Sequence, residues 1–273
     1  MSPPDALDLA RWEPLAATHR AAWDAAAPFS HLVLEDFLPP AACAALRAEF
    51  DAPGDDRWIE NRHVSQRLRS RNGYDRLGPP ARAILDALDS SRCRAWVSAV
   101  TGVPGLFLDR DMVDGGLAVM GRGDYFDLHT DMQAHALRRR WRRRVNLIVY
   151  LSDPWDDAWG GALELWRADG RRCVTSVAPR HNRAVLFEVS PRALHGVPEP
   201  LRCPPGARRR NLVLYYFTEE RDPVALTHFR YRARPGELAR RPWVFANNAA
   251  LAAYQLARAR LGDLDLRVSR CRR

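Results

Sequence analysis

Tyr125-Phe126-Asp127-Leu128-His129-Thr130-Asp131 is the stretch from which the rest of this chain can be read. Its aromatic and apolar residues alternate with polar ones in the manner of a strand. Residues i and i+2 of a strand share a face. His129 and Asp131 then project together to one side and Thr130 to the other. A second histidine follows in Leu194-His195-Gly196-Val197, and Arg209 opens the run Arg209-Arg210-Asn211-Leu212-Val213-Leu214-Tyr215-Tyr216-Phe217. Two imidazoles and one carboxylate suit Fe(II) with open coordination positions. A structural zinc wants four protein ligands, usually with Cys, and the sequence offers no fourth. A lone His-x-Asp is weak, since chance alone supplies roughly 0.7 of them in a chain of this composition. The weight rests on His195 and Arg209, which follow beside strand-like runs.

Outward from this stretch, short strands are expected at 106–111, 115–120, 125–130, 144–151, 162–166, 173–178, 184–189, 193–197 and 210–218. Gly115-Gly116, Gly121 to Asp124, Asp153-Pro154, Gly160-Gly161, Asp169-Gly170 and Pro204-Pro205-Gly206 separate them as turns. Many short, evenly spaced strands argue for a sandwich, barrel or jelly roll. Upstream the pattern is helical over the Ala-rich residues 1–30, then from Phe37-Leu38-Pro39-Pro40 through Phe50, with Pro in the first turn. Residues 80–101 continue it, with a break or cap at Ser90-Ser91 and a stop at Gly102. His31–Leu34 reads as one short strand among these helices, and a last helix is expected at 247–261. The expected organisation is a helical lead-in over 1–103, a core over 104–221 and an extension over 222–273, all one structural unit. Helices before and strands after give a mainly β fold with flanking helices (α+β).

Hydrophobic residues make up 47% of the 273 residues, ordinary for a globular protein. No apolar run approaches the roughly 20 residues of a membrane helix. Met1-Ser2-Pro3-Pro4-Asp5 has neither the basic nor the apolar part of a secretory signal. Cys43, Cys93, Cys173, Cys203 and Cys271 are odd in number, scattered, and never Cys-x-x-Cys. That pattern suggests no disulfide framework or zinc ribbon, and a cytoplasmic location is the expectation. All 42 Lys and Arg positions are Arg, which excludes Schiff-base lysine, pyridoxal phosphate and P-loop chemistry. The net charge of +9 admits an acidic partner or a nucleic acid. Its densest run is Arg138-Arg139-Arg140-Trp141-Arg142-Arg143-Arg144, where an aromatic inside a basic run can stack on bases. No helix-turn-helix, RRM or zinc-finger pattern accompanies it, so a solvated edge leading into a strand is expected. His135 reads as a surface-loop histidine. Arg122 and Tyr125, leading into the ligand strand, are the candidates for substrate contact.

Residues 116–218 resemble the prolyl 4-hydroxylase-like branch of the Fe(II)/2-oxoglutarate dioxygenases. The matching segments are Gly116-Leu117, Tyr125 to Asp131, Arg143 to Leu151, and Trp155 through Trp159-Gly160-Gly161 to Trp166. They continue as Pro179 to Arg183 with Val185-Leu186-Phe187, His195-Gly196-Val197-Pro198-Glu199-Pro200, and Arg209 to Thr218. The resemblance implies a double-stranded β-helix (jelly roll) and an enzyme using Fe(II), 2-oxoglutarate and O2. Such an enzyme hydroxylates an unactivated C–H of an amino-acid, peptidyl (prolyl-like) or natural-product substrate and releases succinate and CO2. It implies His129, Asp131 and His195 as catalytic metal ligands. Arg209 and Tyr150 would hold the far carboxylate of 2-oxoglutarate, and Asn146, Leu163, Phe187 and Val197 would line its pocket. Arg210 competes for the carboxylate, but the strand register favours Arg209. Related halogenases replace the carboxylate ligand by a small residue, so the retained Asp131 favours hydroxylation. Ser152, Asn211 and Met120 depart from the family's usual residues without removing a ligand. The implied partner is a small molecule or peptide, with no membrane. A nucleic-acid-associated oxygenase or basic binding protein using 138–144 is the alternative.

Overall fold

The computed structural model describes residues 6–51, 57–225, 227 and 229–261. Helices α1 (Leu9–Trp12) and α2 (Ala16–Ala25) lead to strand β1 (His31–Leu34) and helix α3 (Pro40–Glu49). A hairpin of β2 (Ile59–His63) and β3 (Gln66–Asn72) precedes α4 (Pro79–Leu88) and α5 (Ser91–Thr101). Then come β4 (Phe107–Leu108), β5 (Gly116–Met120), β6 (Tyr125–Thr130), β7 (Trp141–Tyr150), β8 (Leu163–Trp166) and β9 (Cys173–Val177). They are followed by β10 (Ala184–Glu188), β11 (Leu194–Val197), β12 (Arg209–Glu219), β13 (Arg230–Arg232) and α6 (Arg241–Leu261).

The strands hydrogen-bond antiparallel in the order β1-β10-β7-β12-β5-β3-β6-β11-β8-β9. Two four-stranded halves stand out, β5-β12-β7-β10 and β6-β11-β8-β9. The chain from β5 to β12 passes back and forth between them, with β8-β9 as the one hairpin inside a half. This is a double-stranded β-helix, mainly β with helices against one face. It brings β6 and β11 side by side although the sequence separates them widely.

The alternation in β7 explains the layers. Leu147 and Val149, with Leu151 just past the strand, join the helical layer in the main core, alongside Leu46, Ile84 and Val97. Ile148 and Tyr150 point the other way and pack between the halves with Leu163, Leu165, Val185 and Phe187. Each fully buried side chain of this kind contributes about 1.5–3 kcal/mol. Helix ends are held as the sequence suggests. Ser90 Oγ accepts from the Cys93 amide at 3.2 Å, and Gly102 closes α5 at φ 72°. The buried Glu49 carboxylate caps α4, accepting from the Gly78 and Ala81 amides at 2.6 and 3.1 Å, and pairs with Arg71 at 3.2 Å.

Several elements differ from expectation. The hairpin β2–β3 and strand β13 lie in segments expected to be helical or irregular, and both join the sheet. The strand expected at 106–111 shortens to Phe107–Leu108, because the Asp109 carboxylate turns the chain by accepting from the Asp111 and Val113 amides at 3.0 and 2.8 Å. Helix α6 begins at Arg241 rather than 247. Among the described residues Cys43, Cys93, Cys173 and Cys203 are free, and no helix is long and apolar enough to cross a membrane. Cys271, and residues 1–5 of the expected first helix, lie outside the described residues.

Candidate metal centre

Strands β6 and β11 place His129 directly opposite His195, but the next partner of Val197 is Phe126. Two residues of β11 therefore span three of β6, a bulge centred on Asp127 and Leu128. It turns Phe126 to the side of His129, where the two rings stack 4.1 Å apart. Gly196 lies beneath it. A Cβ there would sit 2.8 Å from the carbonyl oxygens of both Phe126 and Asp127, so only glycine lets the strands close.

The bulged strand delivers three buried groups to one point. His129 Nε2 is 3.7 Å from one Asp131 oxygen and His195 Nε2 is 3.9 Å from the other. One ligand atom from each residue lies within 4.8 Å of the other two. His129 Nδ1 donates to the Asp127 carbonyl at 2.7 Å, and His195 Nδ1 donates to the Ala193 carbonyl at 3.0 Å. A carbonyl can only accept, so these bonds put the protons on Nδ1 and leave the Nε2 lone pairs facing the cluster. Asn146 Nδ2 donates to Asp131 at 3.2 Å, and the Tyr215 hydroxyl lies 3.5 Å from its other oxygen. Burial, followed by the neighbouring His195, pushes the His129 imidazole down to about 3. Burial pushes the Asp131 carboxyl up, but His195, His129, Arg143 and the Asn146 bond together hold it below its ordinary value. A neutral imidazole beside a carboxylate is the protonation state that binds a metal. The nitrogen and oxygen donors fit Fe(II) with open positions.

At the start of β12 the register separates three adjacent arginines. Arg210 turns outward to Asp51 at 2.6 Å, and Arg208 donates to the carbonyl of Ala207 at 2.9 Å. Arg209 turns inward and is 3% exposed. Its Nε donates to the Gly161 carbonyl at 2.7 Å, its Nη1 to Asn211 Oδ1 at 2.9 Å, and its guanidinium lies 5.0 Å from the centre of the Tyr150 ring. Among the described residues it has no carboxylate partner, and burial lowers its pKa. The buried Tyr150 hydroxyl and Asn146 Oδ1 make no hydrogen bond of ordinary geometry there either. A buried cation beside an unpartnered hydroxyl suits a carboxylate ligand. Tyr150, Leu163 and Phe187 share one apolar cluster, and the Phe187 ring is 4.6 Å from that of His195. A continuous run of side chains thus connects Arg209 to the His-Asp-His cluster.

Residues 115–218 match the model of the 2OG-Fe(II) oxygenase superfamily. That stretch holds His129, Asp131, His195 and Arg209, and members of the superfamily use Fe(II), 2-oxoglutarate and O2. The chain is 36% identical over 125 residues to the prolyl 3,4-dihydroxylase OGFOD1 of Ostreococcus tauri, covering 42% of this chain and 22% of that protein. It is 29% identical over 184 residues to the mouse prolyl 3-hydroxylase OGFOD1, covering 64% of this chain and 30% of that protein. The chain thus spans less than a third of the length of these relatives. Its fold matches a prolyl hydroxylase of Trichoplax adhaerens, in complex with a hypoxia-inducible-factor peptide, with TM-score 0.55 and 18% identity, over 77% of this chain and 91% of that one. A Pseudomonas putida prolyl-4-hydroxylase matches with TM-score 0.54 and 21% identity, over 75% of this chain and all of the other.

The remaining candidate residues fall in several places. Val197 packs with Met120 and Leu201. Arg122 donates to the Cys203 carbonyl at 3.4 Å, and the Tyr125 hydroxyl to the Val64 carbonyl at 3.1 Å, so neither is drawn to the cluster. The aromatic neighbours of His129 are instead Phe126, Phe229 at 5.4 Å and Tyr231 at 5.8 Å. Tyr125 is the sequence's candidate because it leads into the ligand strand, and the bulge brings Phe126 to His129 in its place. Phe229-Arg230-Tyr231 carried a period-two signal, but in a stretch otherwise read as tail.

The arginine run is a solvated edge only in part: Arg138, Arg140 and Arg142 are exposed, but Arg143 is not. Arg143 is fully buried, pairs with Asp114 at 2.6 Å and lies 3.9 Å from the Tyr215 ring centre. Arg138 pairs with Asp111, and Arg139 and Arg140 donate to the carbonyls of Val224 and Glu220. Arg144 donates to the Thr218 hydroxyl. Nor is His135 a surface histidine: it is fully buried, with Nε2 3.1 Å from Asp109 and Nδ1 accepting the Leu137 and Arg138 amides.

Proposed function

We propose that this chain is a 2-oxoglutarate-dependent Fe(II) dioxygenase that hydroxylates a prolyl residue in a peptide or protein. The observation that carries the reaction class is Arg209, a buried guanidinium without a carboxylate partner among the described residues, linked through Tyr150 and Phe187 to the His129-Asp131-His195 cluster. The names of the relatives support the prolyl substrate.

In this reading His129, His195 and Asp131 hold the iron. Bound there with 2-oxoglutarate and O2, it supplies the oxidising power that an unactivated C–H bond requires. The protein's share is placement. Arg209 receives the far carboxylate of 2-oxoglutarate through charge-assisted hydrogen bonds and Tyr150 adds one from its hydroxyl. Leu163 and Phe187 keep water from the cosubstrate, and Asn146 fixes the orientation of Asp131. Phe126, Phe229 and Tyr231 offer an apolar wall beside His129 for a substrate ring. The free cysteines support a reducing, cytoplasmic location.

The test is anaerobic first: Fe(II) and then 2-oxoglutarate are added to the apoprotein, with His129→Ala as control. A weak visible charge-transfer band that needs both additions and vanishes in the variant is the expected result. Its absence from folded protein would overturn the metal-centre reading. Aerobic incubation with proline-containing peptides should then yield succinate and a peptide with one added oxygen. Succinate without any oxygenated proline would remove the prolyl assignment.

A further inference from the structure

The C-terminal extension touches the ligand strand at its one irregular point. Asp127, the bulge residue, is 1% exposed, and its main-chain carbonyl is the group that holds His129 Nδ1–H. The register to β11 shifts here, so the regular ladder does not by itself set the carbonyl's direction. What grips the residue is Arg240, at the end of the short helical turn Leu238–Arg240. Its Nη1 donates to one Asp127 carboxylate oxygen at 3.0 Å and its Nη2 to the other at 2.8 Å. Nη2 also donates to the Val64 carbonyl at 2.9 Å, in the turn between β2 and β3. That turn is bound to the same place twice more: the Asp127 amide donates to the Ser65 carbonyl at 2.9 Å, and the Tyr231 hydroxyl donates to Gln66 Oε1 at 3.2 Å.

We infer that Arg240 is a positioning residue of the metal centre: by forking onto Asp127 it fixes the carbonyl that aims His129 at the metal, and ties the β2–β3 turn to the same point. The inference rests on the metal-centre reading above. A planar fork with two parallel donors sets direction as well as charge, which a lysine ammonium does not. Without the fork, a buried carboxylate is left unpaired at a bulge, and the strand relaxes to rehydrate it. His129 then loses its aim while Asp131 and His195 keep theirs. Groups that orient a metal-binding histidine are typically worth about 10–100-fold in metal affinity.

The experiment titrates Co(II) alone into the full-length apoprotein and reads affinity and visible spectrum, with thermal unfolding of each apoprotein beside it. Arg240→Ala and Asp127→Asn are expected to weaken Co(II) binding by about 10–100-fold and to change the band shape, with Arg240→Lys between them and wild type. Affinity and spectrum indistinguishable from wild type in Arg240→Lys and Asp127→Asn would overturn the inference, whatever happens to the unfolding temperature. These two milder changes decide the matter if Arg240→Ala does not fold. His129→Ala is the separating control. Loss of the Co(II) band in it, with wild-type binding in the Arg240 variants, sinks the positioning role alone. An unchanged band in His129→Ala sinks the metal centre and the positioning role with it.

Discussion

Arg71 and Arg209 are both buried, at 0% and 3% exposed, on opposite faces of the same sheet. On the helical side, Arg71 faces a charge of its own: Glu49, whose carboxylate also caps the first turn of α4. Between the two halves, Arg209 meets a carbonyl, an amide oxygen and an aromatic ring, all neutral. Desolvating a cation against neutral dipoles alone is unfavourable, while a matched pair is tolerated if its remaining groups are bonded. The first arrangement is closed and belongs to the architecture. The second is open, and in the proposed function the 2-oxoglutarate carboxylate closes it.

Four measurements would break or sharpen that contrast. The largest effect is expected for Arg71→Met, which strands Glu49 in the core and should cost about 3–5 kcal/mol in urea unfolding. A loss no larger than that of a surface pair would erase the distinction from the architectural side. Next comes Arg209→Ala, expected to weaken 2-oxoglutarate binding by about 2–5 kcal/mol in anaerobic calorimetry, with stability unchanged or raised. If it instead destabilised the fold and left the cosubstrate affinity intact, Arg209 would be a second Arg71. Tyr150→Phe should cost binding about 0.5–1.5 kcal/mol and the apoprotein less, because its hydroxyl makes no hydrogen bond of ordinary geometry among the described residues.

The smallest effect concerns another closed cluster, Asp109 with His135. Burial raises the Asp109 carboxyl, but the His135 bond and the Val113 and Asp111 amides outweigh it and hold the group below its ordinary value. A depressed folded pKa gives stability that is present above the unfolded value of about 3.9 and is lost as pH falls through the folded one. The acid limb of the unfolding profile should therefore flatten in Asp109→Asn. An unchanged limb would show that other carboxylates govern it.

How much of this was legible depended on whether a signal was local. The apolar runs of β7 and β12, bounded by turn residues, announced strands buried on both faces, and these strands lay close to their expected bounds. The hairpin β2–β3 was invisible because Ile59-Glu60-Asn61-Arg62-His63 and Gln66 to Asn72 are polar on both faces. An apolar period of two needs one buried face to produce it. Charge misled in the arginine run. Arg143 looks like its neighbours, yet a register shift between β7 and β12 sets it opposite Phe217, on the face away from Val145, and its partner Asp114 is far away in the chain. His135 was misread for the same reason, since Asp109 lies 26 residues before it. The bulge at Asp127 left no mark beyond Gly196, on another strand, so nothing in the sequence marked Phe126 as the neighbour of His129.

The direct pairing of His129 with His195 has a consequence for how this chain can change length. A cross-strand pair is specified by ladder register, not by the number of residues between its members. Insertions in the turns at 153–161 or 167–172 should therefore leave the two imidazoles opposed. Closing a longer loop adds little entropy cost, about 0.6 kcal/mol for each doubling. A single residue inserted within β11 itself would rotate His195 to the other face and separate it from its partners. New recognition elements can thus be grafted at those turns without retuning the metal geometry, whereas the four residues of β11 admit substitution but not insertion.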